Sequence, residues 1–182
     1  RPVTSITAIC RSAGSRRNAS TIRSRSRANP SAARWLSVLS STYTRLSEGW
    51  LSRRIGKYGH ANAATNNTAV DLIRRYRRSD REAARILFVM NAAAFDAVIG
   101  CFDAKYFYWF IRPPQADPGI TLPIGLPPHP SYPSAHSCVS GASFEVLSRA
   151  FPSERQQMAA LADEASLSRL YAGIHYRFDM TA

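Results

Sequence analysis

Between Ser79 and Pro113 runs an apolar stretch that is long, poor in breakers and bounded at both ends, and it constrains the fold more than any other feature. Ser79 and Glu82, three apart, make a capping-box pattern that opens it, and Pro113-Pro114 stop it after Ile111. The portion from Ile86 to Phe102 approaches a membrane span in apolarity. Asn91 and Asp96 interrupt it, and it falls short of about 20 clean residues, so the expectation is a buried core helix with no membrane span. The flanking text is helical too. Thr68 is placed to cap a helix to about Arg78, with Val70, Ile73 and Tyr76 inward. Prolines from Pro113 through Pro133 predict an irregular loop. Ser134 then caps a helix through about Ala150, and Ser153 to Gln156 repeat the capping box and open another to about Leu167. A turn at Ala172-Gly173 precedes the last segment. No strand pattern of any length occurs, so the fold class is all-α, a helical bundle with a Pro-rich loop.

The chain has 182 residues, enough for one ordinary domain, and a net charge of +12. The charge is unevenly placed. Residues 1–58 carry 11 Arg and Lys57 against Glu48, 12 − 1 = +11, whereas residues 59–182 carry 12 basic and 11 acidic residues, a net of +1. That divides the chain into a poorly ordered Arg/Ser-rich segment over 1–58, foreign to the domain by composition, and a helical domain over 59–182. Residues 33–55 could add one short amphipathic helix. A transit peptide shares the Arg/Ser-rich, acid-poor composition. The Arg runs lack interleaved aromatics and any nucleic-acid motif, so no nucleic-acid partner is expected. Cys10, Cys101 and Cys138 are odd in number and lack metal spacing, which reads as buried thiols. No signal-peptide core is visible. The expectation is a soluble protein of undetermined oligomeric state; the compartment is left open, with a secreted or periplasmic location as one option.

The chemistry concentrates in three blocks. Lys105 and Arg112 stand seven apart, two helical turns, which would set both on one helix face among aromatic neighbours. Ser134-Ala135-His136 straddles a loop-to-helix junction, where unsatisfied N–H groups and the helix dipole favour negative charge. Ser168-Arg169 is followed by His175 and Asp179, a spacing that lets a carboxylate accept one imidazole N–H and leave the other nitrogen unengaged. Each block alone has an ordinary reading, as solvated charges, a helix cap or a surface ion pair. Together they describe an oxyanion site: three cations, helix N-terminal donors and two histidines.

The order K-x6-R-P, P-S-x-H and S-R-x5-H-x3-D resembles the signature of the type 2 phosphatidic acid phosphatase and vanadium-dependent haloperoxidase superfamily, over roughly residues 66–182. Ala135 departs from it, standing where the family usually has Gly. It keeps the backbone N–H, but its Cβ would crowd a bound ion or forbid a positive φ. Phe102 and His129 fall where the resembled family lines its pocket. The resemblance implies a partial domain, because the family has further helices upstream and the chain stops three residues after Asp179.

Two activities and one inactive state follow from the resemblance. As a haloperoxidase the chain would bind vanadate through Lys105, Arg112, Ser134, the Ala135 N–H and Arg169. His175 would be the ligand to the metal, His136 the acid/base, and Lys105 would polarise the oxidant for attack by halide. As a phosphatase it would bind a phosphate ester with the same cations, form a phosphohistidine at His175 and protonate the leaving alcohol through His136. As a fragment it would be inactive. The run around Asp103 to Trp109, with His-Pro-Ser-Tyr-Pro-Ser, looks closer to the soluble bacterial haloperoxidase branch, with peroxide and halide as small-molecule substrates.

Overall fold

The computed structural model describes residues 48–181, and over them the chain is all-α. The elements are α1 (Glu48–Lys57), α2 (Ala61–Arg75), α3 (Asp80–Tyr108), a one-turn α4 (Pro113–Ala116), α5 (Ala135–Ala150) and α6 (Arg155–Tyr171). Short 3₁₀ turns cover Pro152–Glu154 and Arg177–Met180. The expectations for residues 1–47, the Arg/Ser segment and the first part of the 33–55 helix, lie outside the described residues. Within the described part, Ile55 and Tyr58 at the end of α1 are buried in the helical body, upstream of the expected division at 58/59.

α3 begins as predicted. Ser79 Oγ accepts from the Glu82 N–H while the Glu82 carboxylate accepts from the Ser79 N–H, the reciprocal box that satisfies two orphan donors. Its end differs from expectation: the helix stops at Tyr108, and Trp109 takes a left-handed conformation with φ 48°. Arg112, preceding Pro113, has ψ 157°, because a proline ring disfavours helical geometry in the residue before it. The expected continuation to Ile111 is therefore corrected.

Three other boundaries move. α2 starts at Ala61, not Thr68; Thr68 lies inside it and its hydroxyl donates back to the Ala64 carbonyl. The second capping box does not form, because Ser153 Oγ pairs with the Tyr76 hydroxyl and a 3₁₀ turn from Pro152 leads into α6 instead. Within the Pro-rich loop, Pro113–Ala116 make a helical turn, since proline at the first helical positions loses no hydrogen bond.

The core joins α2, α3, α5 and α6 through Ala69, Leu72, Met90, Phe144, Leu147, Phe151 and Met158. Asn91, the polar interruption in the apolar stretch, exchanges amide hydrogen bonds with Asn66 at 3.1 and 3.0 Å and so joins α3 to α2. The reading of α3 as a buried core helix is corrected. Met90, Ala94, Ala97, Cys101 and Lys105 pack inward, but Phe88, Phe95 and Ile99 are 74%, 65% and 55% exposed. Among the described residues, the helices packed on α3 cover one face of it, and burial follows that face. By length and apolarity it would also cross a membrane, a property shared with helices of soluble proteins.

A candidate oxyanion site

Four segments meet where the three sequence blocks converge: the end of α3, residues 129–131 of the loop, the start of α5 and the chain from Arg169 to Asp179. Lys105 is fully buried near the end of α3, and its Nζ donates to the carbonyls of Pro130 at 2.7 Å and Ser131 at 2.9 Å. Arg112 reaches the same strip of loop, giving Nε to the His129 carbonyl at 2.9 Å and Nη2 to that of Pro130 at 3.4 Å. The expected shared helix face is thus not what unites them, for Arg112 lies beyond the helix. Shared carbonyl acceptors in a loop that folds back do so.

Arg112 also carries the connection onward. Its Nη1 donates to the Ile174 carbonyl at 2.6 Å and lies 3.4 Å from His175 Nε2. On the other side of the ring, His175 Nδ1 stands 2.7 Å from Asp179 Oδ2. A carboxylate accepts, so Nδ1 carries the proton and Nε2 presents its lone pair. The arrangement comes from a turn, not from the continuous helix the i+4 spacing suggested. Gly173 takes φ 70° after α6, as the reading of Ala172-Gly173 anticipated, and Asp179 sits in the following 3₁₀ turn.

Asp179 Oδ2 accepts additionally from Ser131 Oγ at 2.6 Å and the Tyr176 N–H at 3.0 Å. Ser131 is the residue that sequence reasoning missed. It touches both members of the pair, at 3.4 Å from His175 Nδ1, and nothing in its spacing singles it out from the surrounding prolines.

Arg169, in the last turn of α6, donates Nε to Ser168 Oγ and Nη2 to the Ile55 carbonyl, both at 2.9 Å. Ser134 caps α5, its Oγ accepting from Ser137 N–H at 3.4 Å and its own N–H donating to the Asp179 carbonyl at 2.8 Å. Ala135 is the first residue of α5, so its N–H has no intrahelical acceptor, and its φ is negative. The methyl group therefore imposes no backbone strain here. His136 follows, with its Nε2 2.9 Å from the Tyr58 carbonyl, which makes Nε2 the protonated nitrogen and leaves Nδ1 for proton transfer. His129 stacks tilted against Phe102 at 5.1 Å between centroids, and its Nδ1 lies 3.1 Å from Arg112 Nη2.

The electrostatics are unbalanced. Lys105, Arg112 and Arg169 are all at most 2% exposed, and Asp179 is the one buried carboxylate among the described residues. Burial draws the Lys105 ammonium down to about 8 and the Arg112 guanidinium to about 10, partly offset in both by Asp179. His136 falls to about 4, through burial first and the Arg169 charge second. His175 also falls to about 4, where burial outweighs the hydrogen bond to Asp179. Three buried cations against one anion are costly unless a further negative group completes the set. That is what an oxyanion such as phosphate or vanadate supplies, and the residues present fit one.

Both imidazoles are neutral at pH 7, and both lose stability on protonation. Their pKa values in the folded chain lie below the ordinary 6.5, so the stabilisation is complete above pH 6.5 and disappears as the pH falls toward about 4. Each contributes on the order of 3 kcal/mol. Denaturant midpoints measured from pH 7 to pH 4 should fall continuously through that window, and His175→Ala and His136→Ala should each flatten the profile. A profile already flat in the wild type would contradict the burial of these rings.

Residues 83–182 match the family model described as the PAP2 superfamily. No curated protein sequence matches the chain. Among solved structures, the chain is similar to a crystal structure described as that of the first bacterial vanadium-dependent iodoperoxidase, with a TM-score of 0.66 and 26% identity. The likeness covers 80% of this chain and 44% of that one, so the chain spans less than half the length of that protein.

Proposed function

The chain belongs to the PAP2 superfamily, and on that premise we propose that it binds vanadate at the site around His175 and oxidises halide with hydrogen peroxide. The observation carrying this reading is His175 itself: Nδ1 is held by Asp179 at 2.7 Å, and Nε2 faces the Arg112 guanidinium at 3.4 Å, within a cluster of buried cations. A lone pair so placed is oriented to ligate a metal oxyanion whose oxygens the cations hold. The similarity to an iodoperoxidase structure supports the choice of halide oxidation.

In this reading Lys105, Arg112, Ser134, the Ala135 N–H and Arg169 hold the oxygens, and His175 ligates the metal. Bound vanadate would supply the Lewis acidity that activates peroxide toward halide. The side chains act around it. Asp179 keeps the His175 ring in one tautomer. His136 moves protons through Nδ1, and its depressed pKa leaves it a base at neutral pH. Phe102 and His129 form an aromatic wall beside Arg112.

The deciding experiment runs two assays on one purified preparation: peroxide-dependent oxidation of bromide and iodide with added orthovanadate, and hydrolysis of a chromogenic phosphate ester without it. Vanadate-dependent halide oxidation with little ester hydrolysis is the expected result. Hydrolysis without halide oxidation would make the protein a phosphatase, with His175 Nε2 as the attacking atom and His136 as the acid for the leaving alcohol. Activity in neither assay would favour an inactive fragment.

Oxyanion affinity should also depend on pH from the alkaline side. Lys105 titrates near 8, so its charge, and with it part of the attraction, is present below that pH and lost above it. Calorimetric titration with inorganic phosphate should therefore give weaker binding at pH 9 than at pH 7, by about tenfold. In Lys105→Met the loss of affinity between pH 7 and pH 9 should disappear, leaving only the change that phosphate's own second ionisation brings over that range.

A further inference from the structure

We propose that Glu164 is a positioning residue for the oxyanion site: together with Tyr58 it seats the C-terminal end of α1, whose carbonyls hold Arg169 and the His136 ring. The end of a helix leaves its last carbonyls without intrahelical donors and carries the negative end of the dipole. Two groups of the site use that end of α1. Arg169 Nη2 donates at 2.9 Å to the carbonyl of Ile55, in the last turn, and His136 Nε2 donates at 2.9 Å to the carbonyl of Tyr58, the residue after the helix. A cation and an imidazole N–H thus meet the electronegative end of α1, and neither is placed by its own helix alone.

What fixes α1 there is one carboxylate on α6. Glu164 Oε2 accepts from the Tyr58 hydroxyl at 3.1 Å and from Lys57 Nζ at 3.2 Å, and its Oε1 lies 3.8 Å from Arg54 Nη1. Tyr58 is buried, and burial raises its phenol, so the hydroxyl stays protonated and donates. Ion pairs this open to solvent hold little singly, the Arg54 and Lys57 side chains being 38% and 49% exposed. Three donors on one carboxylate, one of them carried by a buried ring, restrict the end of α1 in angle as well as in distance. Glu164 stands five residues before Arg169, so α6 grips α1 through side chains at one level and through a carbonyl at the next. Ile55 adds apolar contact with Ala172 and with Ile174, the residue before His175.

The role rests on the oxyanion-site reading but on neither activity, so the test follows ring tautomers and binding instead of turnover. Ring-nitrogen NMR shifts of the four histidines are measured in the full chain, in Glu164→Ala, in Glu164→Gln and in Tyr58→Phe, beside calorimetric titration with inorganic phosphate. In the wild type at neutral pH, His136 should carry its proton on Nε2 and His175 on Nδ1, opposite tautomers that the spectrum separates. Glu164→Ala should draw the two His136 nitrogen shifts together as tautomers mix, and should weaken phosphate binding by about fivefold. His175, held by Asp179, should keep its tautomer. Glu164→Gln still accepts from the phenol and should recover most of the wild-type behaviour. Tyr58→Phe loses one hydroxyl and keeps the ring, so it should move His136 in the same direction by less, and it carries the test if Glu164→Ala does not fold. An unchanged His136 tautomer in the folded variants would overturn the proposal. So would equal disturbance of His136 and His175, the mark of a general loosening. A wild type without affinity for phosphate would count against the oxyanion reading alone, with the His136 shifts still deciding the part played by Glu164.

Discussion

On the proposed haloperoxidase reading, replacing His175 by Ala should abolish halide oxidation, lowering turnover on the order of a thousandfold or more, while leaving measurable affinity for phosphate. The two effects separate because they come from different groups. Ligation needs the Nε2 lone pair that Asp179 orients through Nδ1, whereas the attraction for charged oxygens comes from Lys105, Arg112 and Arg169, which the substitution leaves in place. His136→Ala should behave differently, keeping the oxyanion but slowing turnover by about a hundredfold, the usual scale for a positioned acid/base. Vanadate and phosphate titrations beside bromide-oxidation kinetics, on the wild type and both variants, check the pair. Equal loss of binding in the two variants would contradict the separate roles.

Arg112→Ala should damage both the site and the fold. Its guanidinium is 1% exposed and donates to the carbonyls of His129, Pro130 and Ile174, so it joins the Pro-rich loop to the segment carrying His175. Removing it leaves buried acceptors without donors, at roughly 1–3 kcal/mol for each carbonyl that water cannot reach. A loss of about 3–5 kcal/mol in stability is expected, with oxyanion affinity falling by about a hundredfold or more in whatever fraction folds. Arg112→Lys should restore little of either, because one ammonium cannot span the acceptors that the guanidinium fork reaches. Urea unfolding and phosphate titration measure the two consequences separately. Full recovery in Arg112→Lys would show that only the charge matters.

These expectations show how far the residues alone lead. The box at Ser79 and Glu82 foretold the start of α3 because capping is local: both hydrogen bonds close within four residues. The same pattern at Ser153 failed, since Ser153 found a hydroxyl partner on Tyr76 and Glu154 an ion pair with Arg75, partners distant in sequence. Likewise, α3 carries the apolarity of a core helix. Whether both of its faces would be covered depends on neighbours that a period of 3.6 residues cannot reveal.

The site divides along the same line. Residue types and short spacings single out Lys105, Arg112, Ser134, His136, Arg169, His175 and Asp179 as candidates, and the link between His175 and Asp179 that their spacing suggested is present in the fold. The sequence by itself determined the all-α class, the caps at Ser79 and Ser134 and the set of charged groups. Only the tertiary structure decided how those groups meet: Arg112 lies outside the helix face on which spacing had set it, His136 turns its Nε2 to the Tyr58 carbonyl, and Ser131 bridges to Asp179 from the loop. The physical reason is that each buried cation or imidazole needs acceptors, and backbone carbonyls satisfy much of that need here. Every residue type carries a carbonyl, so the letters do not show which ones a folded loop will bring into reach.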